Sequence, residues 1–154
     1  MIELFGKQPQ KFGLKFNTGL TPIHIDESVI SLSAILLNDA YYDVLIQGKR
    51  TVDGYSVIDM ETVILFKMKA WLDLIERKEA GERIDSKNIK KHKNDVFRLL
   101  ANVTPEARVE TADEIRRDIA QFIKRIDKDR PDIKNLEIRG TSFSELMEVL
   151  KSIF

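Results

Sequence analysis

Four lysines fall within seven residues, Lys87, Lys90, Lys91 and Lys93. On a helix, Lys87, Lys90 and Lys91 share one side at i, i+3 and i+4, and Asn94 continues it. Such a strip, with Lys91 as a contact, either holds the phosphates of a nucleotide or RNA backbone or stands as a solvated surface. No aromatic ring is interleaved, so base stacking is not indicated. Lys67 and Lys69 lie inside an apolar helical segment, where a lysine either snorkels to water or is directed at a phosphate. Trp71 beside them reads as core, its N–H satisfied by a neighbour. Glu3 is a lone carboxylate in an apolar strand, Met1-Ile2-Glu3-Leu4-Phe5. Two-metal chemistry needs several carboxylates converging on cations roughly 3.5–4 Å apart, and no D-x-D or D-x-E pair sits on a strand to join it. Asp113 and Glu114 open a helix, where acids complement the dipole. His24 reads as a strand residue and His92 as part of a solvated basic face, and two histidines do not make a histidine-rich metal site. Walker glycine loops, H-E-x-x-H and G-x-S-x-G are all absent.

Composition narrows the classes further. The chain has 154 residues, of which 43% are hydrophobic, enough for one domain with a sizeable core. The absence of cysteine excludes disulfides, thiolate zinc sites and a cysteine nucleophile, and it suits a cytoplasmic setting. Twenty-five basic and 25 acidic residues cancel, so no global field draws the chain to nucleic acid or membrane. The longest apolar runs, residues 33–37 and 63–66, are too short to span a bilayer, and the N-terminus lacks the apolar stretch of a secretion signal.

The elements that must position these residues divide into strands first and helices later, which argues α+β. Residues 1–5 read as a strand stopping at Gly6, 12–16 as a second, and 23–25 as a third. Residues 31–37 are either a strand or a buried helical turn. Asn38 or Asp39 caps a helix that ends at Gly48. Asp53-Gly54, flanked by Val52, Tyr55 and Val57, signals a hairpin. Asp59 caps a helix running to about Ala80 and stopped by Gly81, with an apolar stripe of Val63, Phe66, Ala70 and Leu74. Asp85 or Ser86 caps the next helix, whose core face is Ile89, Val96, Leu99 and Leu100. Thr111 is expected to cap a third, with Ile115, Ile119, Phe122 and Ile126 inward. Ser142 and Glu145 form a capping box for the last, with Leu146, Val149, Leu150 and Ile153 inward. The expected division is a sheet part over residues 1–58 and a helical bundle over 59–154.

Several stretches resemble one bacterial family: Ser31-Leu32-Ser33-Ala34-Ile35-Leu36-Leu37, Asp39-Ala40-Tyr41-Tyr42, Val52-Asp53-Gly54, Phe66-Lys67-Met68-Lys69-Ala70-Trp71-Leu72-Asp73-Leu74 and Lys90-Lys91-His92-Lys93-Asn94-Asp95-Val96-Phe97-Arg98-Leu99. They look like the abortive-infection (AbiEii-like) nucleotidyltransferase toxins, over residues 1 to about 100. The resemblance implies a polymerase-β-like superfamily fold, here the C-terminal portion: a truncated mixed sheet followed by a helical bundle. It implies two Mg²⁺ ions that align a nucleoside triphosphate. It places Glu3 as the third catalytic, metal-binding acid, Lys67 as the helix lysine facing the triphosphate, and Asp95 as a later acid of the site. His92 stands where the family usually has Asp. The Gly-Ser turn and paired acids expected before Glu3 are missing, so the chain alone is expected to be inactive. Implied partners are a cognate antitoxin and a tRNA or protein acceptor. An alternative function is a protein-binding helical module that grips an antitoxin or self-associates into a homodimer through exposed strand edges.

Overall fold

A computed structural model describes residues 4–7, 20–23, 32–104 and 106–154. It is an α+β structure, and its contacts divide into two units, residues 1–47 and 48–154.

The first unit holds a mixed three-stranded sheet of order β1 (Leu4–Lys7), β3 (Leu32–Leu37), β2 (Leu20–Ile23). β1 runs parallel to β3, with Gly6 opposite Leu36, and β2 runs antiparallel, with Pro22 opposite Ser33. The apolar run that was compatible with strand or helical turn is the central strand, where both edges are hydrogen-bonded. Gly6 does not stop β1, because its backbone pairs with β3 through Lys7. Pro22 extends the third expected strand backward, and its missing N–H is tolerated on an edge. Helix α1 (Asp39–Gln47) packs against β1 and β3. Asn38 caps it, its Oδ1 accepting from the Tyr41 N–H at 3.0 Å. The strand expected at residues 12–16 lies outside the described residues.

The second unit begins with a hairpin, β4 (Lys49–Val52) and β5 (Tyr55–Ile58). Asp53 and Gly54 both take positive φ, 50° and 81°, which matches a type I′ turn and the twist of its strands. Helix α2 (Met60–Glu79) follows, and Asp59 caps it by accepting from the Thr62 N–H at 3.1 Å. The hairpin is tied to this helix start, which is why it groups with the helices and not with the residue 1–58 sheet part. The Asp59 N–H donates to the Gly48 carbonyl at 2.9 Å, and Arg50 pairs with Asp59 at 3.1 Å. A Cβ on Gly48 would stand 2.0 Å from Thr62 Oγ1. Gly81, at φ 90°, ends α2 in a Schellman arrangement, with Glu82 N–H donating to the Arg77 carbonyl and Gly81 N–H to that of Lys78.

Three more helices complete the core: α3 (Ser86–Leu100), α4 (Asp113–Ile126) and α5 (Phe143–Ile153). α2 packs on α3 and α4, and α3 packs on α5. The buried face of α2 is Ile64, Leu65, Met68, Trp71 and Leu72, whereas Val63, Phe66, Ala70 and Leu74 are only half-buried. The expected stripe was out of phase because α2 has apolar residues around most of its circumference, and two partner helices select the face. Phe97 and Met147 join the core, while Ile89, Leu99 and Val149 stay at its margin. The four inward residues of α4 are buried as expected, and α5 carries its capping box. Thr111 does not cap α4. The N-cap is Ala112 without a side-chain bond, and Thr111 is buried, its hydroxyl without a partner among the described residues. A 3-10 turn at Lys134–Leu136 buries Leu136, a contact with no periodic signal.

Candidate functional site

Lys67 and Lys69 are two positions apart on α2, so their side chains leave the helix roughly 200° apart. Each therefore meets a different neighbouring helix. Lys67 Nζ reaches Asp95 of α3 at 3.3 Å, and Lys69 Nζ reaches Asp118 of α4 at 3.2 Å and its own helix's Asp73 at 3.5 Å. Lys78 bonds Ser86 at 3.2 Å near the connection, so α2 and α3 run antiparallel. Glu76–Gln121 and Glu79–Arg125 contacts show α4 running parallel to α2.

The Lys67–Asp95 pair is half-buried, with 27% and 22% of the two side chains exposed. Asp95 is shared. Its Oδ2 meets Lys67, and its Oδ1 meets Arg98 at 3.6 Å, one turn further along α3. One carboxylate thus stands between two cations, and the cluster keeps a positive charge. Arg98 was not singled out from the sequence, though its i+3 spacing from Asp95 was the signal. Lys69 has the opposite balance, one cation between two carboxylates. Burial works to lower its pKa, but Asp73 and Asp118 outweigh that and hold the ammonium above its ordinary value. An anion approaching Lys69 would meet two like charges beside it.

The basic stretch of α3 splits by helical phase. Lys93 is 8% exposed, and its Nζ meets the Asp129 carboxylate at 2.6 Å and donates to the Asp129 carbonyl at 3.1 Å. Lys87, Lys90 and Lys91 are exposed. His92 is half-buried, so it is not part of a fully solvated face. Trp71 is core as expected, edge-on to Phe122 with ring centroids 5.1 Å apart, but its indole N–H has no acceptor among the described residues.

Glu3 and His24 lie outside the described residues. Among the described residues, no three histidine, aspartate or glutamate side chains converge as a metal would require. Among the described residues, no helix is long and apolar enough to cross a membrane. Compared with protein-family models, with curated proteins and with solved structures, the chain matches none.

Proposed function

We propose that the chain is the C-terminal portion of a nucleotidyltransferase of the polymerase-β-like kind, its mixed sheet followed by the helical bundle, and that the α2–α3 seam is its phosphate-binding element. The observation that carries this reading is the Lys67–Asp95–Arg98 cluster. Lys67 and Asp95 come from separate stretches of the family resemblance, and they meet at 3.3 Å with a positive charge left over. Asp95 orients the ammonium, and the remaining N–H donors of Lys67 and Arg98 suit phosphate oxygens. The reading assigns Glu3 as the one acid of a metal site that needs more than one, so the chain binds nucleotide without transferring it. A cytoplasmic setting, an antitoxin partner and a tRNA or protein acceptor belong to the same proposal.

Calorimetry with the magnesium salts of ATP, CTP, GTP and UTP tests it. Binding of at least one nucleotide, weakened about tenfold or more by Lys67→Ala, is the expected result. Binding unchanged by that substitution removes Lys67 from the site. Label transfer from a triphosphate to total tRNA would overturn the claim of inactivity.

A second reading, self-association, is favoured by the hairpin. Val52, Tyr55 and Val57 share one of its faces and are 52%, 75% and 40% exposed. The proposed occupant is a second copy paired along a strand edge, and zero net charge opposes no such approach. Light scattering at micromolar concentration decides: a dimer lost in Tyr55→Ser supports it, and a concentration-independent monomer excludes it.

A further inference from the structure

The basic stretch of α3 continues as one line along the helix. Lys87, Lys91, Asn94 and Arg98 stand at i, i+4, i+7 and i+11 with Lys90 beside them, opposite the buried Val96, Phe97 and Leu100. All four cations of the line are exposed. A fifth arrives from another helix: Lys78 Nζ of α2 donates to Ser86 Oγ at 3.2 Å, which places its ammonium at the first turn of α3. The carboxylates beside the line are committed. Asp85 accepts from the Lys87 N–H at 2.9 Å, and Asp95 stands between Lys67 and Arg98. Lys87, Lys90 and Lys91 have no ion-pair partner among the described residues. The whole chain sums to zero charge, yet this face is strongly positive. Charge separation, not net charge, therefore sets what the face attracts.

We propose that the outer face of α3 docks the phosphate backbone of a nucleic-acid duplex. From Lys87 to Arg98 the line is roughly 16 Å long, the axial length over which one strand of a duplex presents about five phosphates. A single strand is a poorer match, because no aromatic residue stands on this face for its bases to stack on. An anionic lipid surface is a poorer match too. The apolar side of α3 is spent inside the bundle and has nothing to lay into a bilayer. Lysine ammoniums act as point charges on phosphates and carry little base readout, so binding is independent of sequence. The surface does not rest on the nucleotide reading, since Lys78, Lys87, Lys90 and Lys91 lie outside the Lys67–Asp95–Arg98 cluster.

The full chain, without nucleotide, is titrated by fluorescence anisotropy against labelled duplex RNA, duplex DNA, single-stranded RNA and polyglutamate, each polymer about 20 units long and each at salt from about 50 to 200 mM. The expected result is binding of both duplexes at or below about 10 μM at the lowest salt, with a log–log salt slope of about −3 to −4. The Lys87→Ala/Lys90→Ala/Lys91→Ala variant is expected to bind at least about tenfold more weakly, with a slope shallower by about 2 to 3. Lys67→Ala, which tests the nucleotide reading, is expected to keep duplex affinity within about twofold of the parent. The three lysines are exposed, so the triple variant is expected to fold, and circular dichroism verifies it. Four outcomes overturn the proposal: no anisotropy change with either duplex up to about 100 μM protein at the lowest salt, an unchanged slope and affinity in the triple variant, single-stranded RNA bound more tightly than both duplexes, or polyglutamate bound as tightly as the duplexes, which would make the partner an acidic protein.

Discussion

Lys93 and Lys91 stand two positions apart on α3 and meet opposite surroundings. Lys93 points into the bundle, where it holds both the carboxylate and the backbone carbonyl of Asp129. Lys91, with Lys87 and Lys90, points outward. The same contrast separates Lys69 of α2, held between Asp73 and Asp118, from Lys124 and Lys128 around the end of α4, which are exposed and have no ion-pair partner among the described residues. A run of like charges along a sequence is thus two populations once wound into a helix. One population joins elements, and the other is available to a ligand.

The largest effect that could break this contrast is the loss of Lys93. Removing an almost fully buried ammonium with two partners is expected to cost about 1–3 kcal/mol in chemical denaturation. A cost within about 0.5 kcal/mol would place Lys93 with the outward lysines. An intermediate effect is read by pH. Arg125 donates to Glu79 across α2 and α4 and holds that carboxyl below its ordinary value of 4.5. A carboxyl depressed by folding lends stability above its unfolded pKa, and that contribution fades as pH falls through the depressed folded value. Lowering the pH from 6 to below about 4 should therefore narrow the melting-temperature gap between the protein and Glu79→Gln. A gap that stays constant across that range would remove the cross-helix pair from the joining population. The smallest effect is expected for Lys87→Ala, Lys90→Ala and Lys91→Ala, each within about 0.5 kcal/mol of the parent. A larger loss from any of them would erase the distinction between the two faces of α3.

Local chemistry was readable in the sequence wherever one residue type answers one backbone need. Asp53-Gly54 supplies the two positive φ values of the hairpin, Asp59 and Asp85 accept from first-turn N–H groups, and Ser142 with Glu145 completes a reciprocal cap. Helical phase was readable on α4, where strict spacing leaves one apolar face. It was not readable on α2, because Phe66 and Leu65 are equally apolar and only the positions of α3 and α4 choose between them. Thr111 misled for a related reason: its side chain has the chemistry of a cap, but burial took it out of the role. Of the candidate site, Lys67 and Asp95 could be named singly and Arg98 was within reach by its i+3 spacing, while the sharing of one carboxylate across two helices required the α2–α3 seam.

Gly48 carries a consequence for how this sequence can drift. Its hydrogen atom faces Thr62 Oγ1, where a Cβ would sit 2.0 Å away, and Asp59 Oδ1, where it would sit 2.8 Å away. Both neighbours are committed, Asp59 to capping α2 and Thr62 to giving the N–H it accepts. Positions 48, 59 and 62 therefore form a single unit of variation. A larger residue at 48 is viable only alongside a smaller one at 62, and a lineage that loses one member of the trio is driven to replace the others or to part the hairpin from its helix.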